Sequence, residues 1–82
     1  MISIENIKKG NNYLIYDRIS DCVDEIKIIE ITDNAIKISY DDKNIRTEWI
    51  EKKKFISSKY HFLFFNLVRQ ALYELEELKK IN

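Results

Sequence analysis

Between Ala35 and Trp49 the chain keeps a period of two on both sides of a turn, and this constrains the fold more than any other stretch. In "AIKISY" the residues Ile36, Ile38 and Tyr40 fall on one face, "DDKN" supplies a four-residue loop, and "IRTEWI" returns with Ile45, Thr47 and Trp49 sharing a face. Side chains of a strand alternate between the two faces of a sheet, so the pattern reads as a hairpin with one face turned to a core. That face is expected to hold Ile45, Thr47 and Trp49 against Ile36 and Ile38.

Other segments fit around the hairpin. Gly10, the only glycine, precedes Asn11 and Asn12, residue types that tolerate positive φ, so a turn should lead into a strand at Tyr13–Tyr16. "DRISDCVD" is polar and irregular, and reads as a loop. "EIKIIEIT" is β-branched, but its alternation slips at Ile28-Ile29, which a bulge or sharp bend must absorb if the apolar face is to be kept. Asp33-Asn34 signals a tight two-residue turn, and "EKKKF" fits one helical turn before a short "ISS" strand.

From residue 60 the period changes. Phe64, Val68, Ala71, Leu75 and Leu78 are spaced four, three, four, three, the stripe of a helix expected over residues 60–81. With Leu63, Leu67, Ile81, Phe65 and Leu72 the apolar arc widens to roughly 200°, against a little over about 100° for a helix packed on one core. The excess marks Phe62, Phe65, Arg69, Leu72 and Tyr73 as a candidate interface with a second copy or a larger protein.

The stretch "IKKGNNYLIY…IKIIEITDNAIKISYDDKNIRTEWIEKKKF" resembles the SH3-like small barrels, Tudor-like ones among them, in its order of strand, irregular loop, three-strand meander, helical turn and final strand. The resemblance, over roughly residues 4–58, implies a five-stranded antiparallel barrel over residues 12–58. With the helix read from the periodicity, the expectation is a mainly β, α+β domain ending in a long C-terminal helix. Tudor-like barrels hold cations over aromatic ring faces, but no motif here matches their cage positions. Tyr16 and Tyr40 are candidates for a groove or cage because they fall at strand ends, near loops.

Composition narrows the chemistry. Fourteen basic residues balance fourteen acidic ones, which removes the bulk attraction that a non-specific phosphate binder relies on. A local basic patch, Lys52, Lys53 and Lys54, lies beside Trp49 and Phe55, so a nucleic-acid-binding barrel is the alternative reading. One histidine, one cysteine and one glycine offer no nucleophile–base signature, zinc ligand set or phosphate loop, and no catalytic, cofactor or metal residue is assigned. No apolar run approaches the length of a membrane span, and the single Cys22 fits a reducing, cytoplasmic setting. Fifteen isoleucines and eleven lysines reflect AT-rich codons. The leading expectation is a non-enzymatic interaction module, of the kind found as accessory subunits or inhibitors encoded by mobile elements such as phages.

Overall fold

The computed structural model describes residues 1–56, 61–67 and 69–81, with only the backbone of Ile56, residues 69–72 and Ile81. Five strands form one antiparallel sheet: β1 (Asn12–Asp17), β2 (Cys22–Ile31), β3 (Ala35–Ser39), β4 (Thr47–Glu51) and β5 (Phe62–Phe65). A short 3-10 turn, Ile4–Asn6, precedes them, a single helical turn α1 (Lys53–Ile56) separates β4 from β5, and α2 (Arg69–Ile81) ends the chain. Across the sheet the order is β4-β3-β2-β1-β5.

Local chemistry sets the elements. Gly10 adopts a φ of +88°, which a residue with a Cβ rarely takes, and its N–H donates to the Ile28 carbonyl. The slip at Ile28-Ile29 is a bulge: pairing with β3 shifts register between Ile28 and Glu30. The extra residue keeps Ile26 and Ile28 in the core and returns Ile31 to the row of Ile36. Asp33-Asn34 forms the tight turn, closed by a bond from the Thr32 N–H to the Ala35 carbonyl. The loop expected through "DRISDCVD" is shorter, because β2 already begins at Cys22 and pairs it with Asp17.

Two clusters pack on opposite faces of the sheet. The larger holds Ile15, Ile26, Ile28, Ile36, Ile38 and Phe64, with Phe55 of α1 stacked on the Phe64 ring at 4.5 Å. The smaller lies under α2, where Leu75 and Leu78 meet Tyr16, Leu14, Leu63 and Phe65. The β1–β5 half of the sheet is thus covered on both sides, while β2–β4 is covered on one.

Three expectations are corrected. First, residues 62–65 are a strand, and the helix is the shorter Arg69–Ile81. "FLFF" sends Phe62 and Phe64 to one cluster and Leu63 and Phe65 to the other. A strand buried on both faces reads as a continuous apolar run, which periodicity cannot tell from a helix. Second, the ladder of the described residues stays open, with β4 and β5 at its two edges. Backbone bonds from Lys52 N–H to the Asn34 carbonyl and from His61 N–H to the Lys54 carbonyl tie α1 between these edges. The final strand expected at "ISS" falls partly on residues 57–58, outside the described residues.

Third, β4 is turned over. Its buried residue is Ile50, opposite Ile36, whereas Trp49 is 49% and Ile45 75% exposed. The loop decides this. The Asp41 carboxylate accepts N–H bonds from Lys43, Ile45 and Arg46 at 2.9, 2.9 and 2.6 Å. Asn44 takes a positive φ of 56°, and the Tyr40 N–H then bonds the Arg46 carbonyl. Even-numbered residues of β4 consequently share the core-facing row with Ile36 and Ile38.

Candidate functional site

The hairpin β3–β4 places its odd-numbered residues on the face away from the larger cluster. Lys37 pairs with Trp49 across the strands, and its Nζ lies 5.8 Å from the centre of the indole ring. Ser39 faces Thr47 in the row beyond, and Ala35 faces Glu51 on the other side. α2 packs on the β1–β5 half. On this face Thr47, Trp49 and Glu51 are exposed, Ala35 and Lys37 half-buried and Ser39 buried. The only tryptophan of the chain thus stands half in water, with the Lys37 cation over its ring.

Tyr16 and Tyr40 do not converge. Tyr16 is buried in the cluster beneath α2; its hydroxyl donates to Asp21 at 2.7 Å and Lys79 of α2 lies 5.2 Å from its ring centre. Lys79 also pairs with Asp21 at 3.1 Å, so the three side chains clasp α2 to the β1–β2 turn. The bond to Asp21, with burial, pushes the Tyr16 hydroxyl up, and the Tyr16 and Lys79 contacts hold Asp21 below the usual carboxylate range. Tyr40 lies at the rim of the core-facing row, where its hydroxyl donates to Glu48 at 2.8 Å and Arg46 sits 5.5 Å from its ring centre. Burial and the Glu48 carboxylate push the Tyr40 hydroxyl far above its ordinary value. Both rings already face a cation of their own chain, so neither stands empty as the wall of a cage.

The candidate interface on the helix also disperses. Phe65 is 1% exposed in the cluster under α2, and Phe62 packs beside Phe55 on the opposite face of β5. Arg69 and Leu72 belong to α2, with side chains outside the described residues, and Tyr73 alone of the five is seen in solvent.

Lys53 and Lys54 of α1 are exposed and Lys52 is half-buried. Lys52 and Lys53 line an open cleft of about 600 Å³ together with Glu5, Asp33 and Glu51, and Lys53 pairs with Glu51 at 3.2 Å. Three carboxylates around two ammonium groups cancel much of the potential that phosphate recognition needs.

His61 stacks on Phe62 with ring centres 4.1 Å apart, and its Nε2 lies 3.1 Å from Asp17. Burial raises the Asp17 carboxyl, but N–H bonds from Ile19 and Ser20, the Ser20 side chain and His61 outweigh it, and the net direction is down. The pair fastens β1 to the start of β5. Cys22 is exposed, its thiol directed at the Ser20 carbonyl at 3.5 Å. Among the described residues no group of three His, Cys, Asp or Glu side chains is placed to hold a metal ion, and no helix is long and apolar enough to cross a membrane.

Comparison with protein-family models, with curated proteins and with solved structures finds no match to this chain. Sequence reasoning missed the Lys37–Trp49 face because it assigned the alternation of β4 to the wrong side. The signal was present: "YDDKNIR" contains an Asp able to collect loop N–H groups and an Asn suited to positive φ, and together they fix the register.

Proposed function

We propose that the chain is a non-enzymatic protein-interaction module that docks through the open face of β3–β4, centred on Trp49. In this reading the strand order, with α1 between β4 and β5, is an SH3-like barrel left open. The observation that carries it is the half-exposed Trp49 on a rigid strand, flanked by Lys37 and with Ile45 exposed four residues upstream. A tryptophan brings a large contact area at small cost in conformational entropy, and interface hot spots are enriched in it. A core would bury the ring, and a solvated surface would place a cheaper residue there. The carboxylates beside Lys52 and Lys53 weigh against the nucleic-acid alternative.

The test compares wild type with Trp49→Ser, both confirmed as folded by circular dichroism, as bait in extracts of the native cell. The substitution should abolish capture of a discrete protein. An unchanged set of captured proteins, or none with wild type, refutes the reading. A parallel salt series with oligonucleotides gives the alternative its chance, since phosphate-dominated binding weakens steeply as salt rises.

A further inference from the structure

The two edges of the sheet are treated differently. At β5 the outer side is met by the N-terminal segment, where the Ile2 N–H donates to the Phe64 carbonyl at 2.8 Å. At β4 nothing comparable is found among the described residues. The Tyr40–Arg46 and Asn34–Lys52 bonds show that even-numbered residues of this strand spend their backbone groups on β3. Antiparallel ladders alternate, so the N–H and C=O groups of Thr47, Trp49 and Glu51 point away from the sheet, in the plane where a further strand would lie.

Charged side chains guard an edge against strands in general. Which strand they admit depends on register. In an antiparallel pairing of β4 with a second copy, opposed residues must share a face, so the two-fold axis passes through Thr47, Glu48, Trp49, Ile50 or Glu51. Centring on Glu48 or Glu51 sets that carboxylate against itself. Centring on Trp49 sets Glu48 against Ile50 and, one step on, Arg46 against Lys52. Centring on Ile50 stacks the two Ile50 side chains, places Trp49 opposite Glu51, and brings Glu48 opposite Lys52 twice by symmetry. Centring on Thr47 would oppose Arg46 to Glu48, and centring on Glu51 would oppose Glu48 to Lys54, but each overlaps only three residues of the 46–52 ladder. Of the five registers, the one at Ile50 alone opposes unlike charges over a longer overlap.

We propose that β4 is a self-pairing edge, by which two copies join antiparallel about Ile50 into one continuous sheet. The pairing lies in the plane of the sheet and leaves the Trp49 face open, so it goes beyond the docking reading. Closed two-fold association of this kind uses the same patch on both copies.

Amide hydrogen exchange and sedimentation equilibrium test it on the full chain. Exchange at Trp49 and Glu51 should slow as concentration rises, while Ile50, bonded to β3, stays protected at every concentration. Glu48→Lys and Lys52→Glu should each weaken association on the order of tenfold, and the double exchange should restore it. Glu51→Pro supplies a check independent of Glu48: it removes a donor that no ladder bond among the described residues uses, and should abolish the dimer with Ile50 still protected. A chain that remains monomeric to about 1 mM, a limit corresponding to only about 4 kcal/mol of association, overturns the proposal. So does a double exchange no better than either single one, or a Glu51→Pro dimer as tight as wild type. None of these variants alters Trp49, so failure here leaves the docking test standing.

Discussion

Replacing Ile38 and Trp49 by alanine, one at a time, separates two ways of turning the β3–β4 hairpin. Ile38 is fully buried, with Ile28 opposite on β2 and Glu48 opposite on β4. Truncation to Ala removes three carbons, worth about 2.4 kcal/mol at about 0.8 kcal/mol each. The cavity left behind adds to this, and buried Ile→Ala changes fall at about 2–5 kcal/mol. Trp49 is half in solvent and keeps one cation contact, so its truncation should cost only about 1 kcal/mol. For a domain of this size each kcal/mol lowers the melting temperature by about 4–8 °C. Ile38→Ala should therefore lose roughly 10–30 °C, or arrive unfolded, and Trp49→Ala no more than about 8 °C. Thermal and urea denaturation followed by circular dichroism reads both without relying on the indole signal. If Trp49→Ala costs as much as Ile38→Ala, β4 is turned the other way. The outer face and the edge pairing would fall with it.

Phe65→Glu buries a carboxylate among Tyr16, Leu63 and Leu75, and should yield a chain with no cooperative unfolding transition; a folded Phe65→Glu protein with a near wild-type melting temperature would remove β5 from the core. Acid sensitivity gives the other test. The N–H groups of Ile45 and Arg46, with those of Lys43 and Asn44, hold the Asp41 carboxyl below its ordinary range. A depressed folded value means that the stabilisation is complete above the unfolded value of about 3.9 and is lost as pH falls through the folded one. Asp41→Asn should thus be less stable at neutral pH and lose less of its melting temperature between about pH 5 and pH 2; Asp17 and Asp21, also depressed, keep some acid dependence in the variant. Equal acid slopes for variant and wild type would mean that Asp41 does not organise the loop.

Legibility from sequence followed the strength of local constraint. The glycine turn, the Asp33-Asn34 turn, the bulge at Ile29 and the helical turn after β4 were all readable, since each rests on backbone chemistry within a few residues. The row of Ile36, Ile38 and Tyr40 was readable for the same reason. β4 was not, because both of its rows carry apolar residues, Ile45 and Trp49 in one and Ile50 in the other. Hydrophobicity favoured the first row, and a loop carboxylate, which hydrophobicity does not register, selected the second. "FLFF" failed differently. Its assignment depends on β1 lying on one side and α2 on another, and neither is a property of the segment itself. The candidate site inherited both errors: residues credited to a helix surface became core, and a residue credited to the core became surface.

The pairing of β1 with β5 joins strands from opposite ends of the chain, Leu14 to Phe65 and Tyr16 to Leu63. During synthesis the hairpins β1–β2, β2–β3 and β3–β4 can all zip up from neighbouring residues, yet Phe64 is missing from the larger core and Leu63 and Phe65 from the smaller one until β5 itself has left the ribosome. Long-range pairs of this kind must first meet the entropy of closing a long loop, which makes them the late step of folding. Until β5 docks, β1 is itself an open edge and Ile15 lies uncovered beside it. Among the described residues the edges of the nascent sheet are β4 and β1, and afterwards β4 and β5, with β5 met by the N-terminal segment at Ile2. A truncation that spared every residue through α1 would leave a sheet permanently in its nascent state.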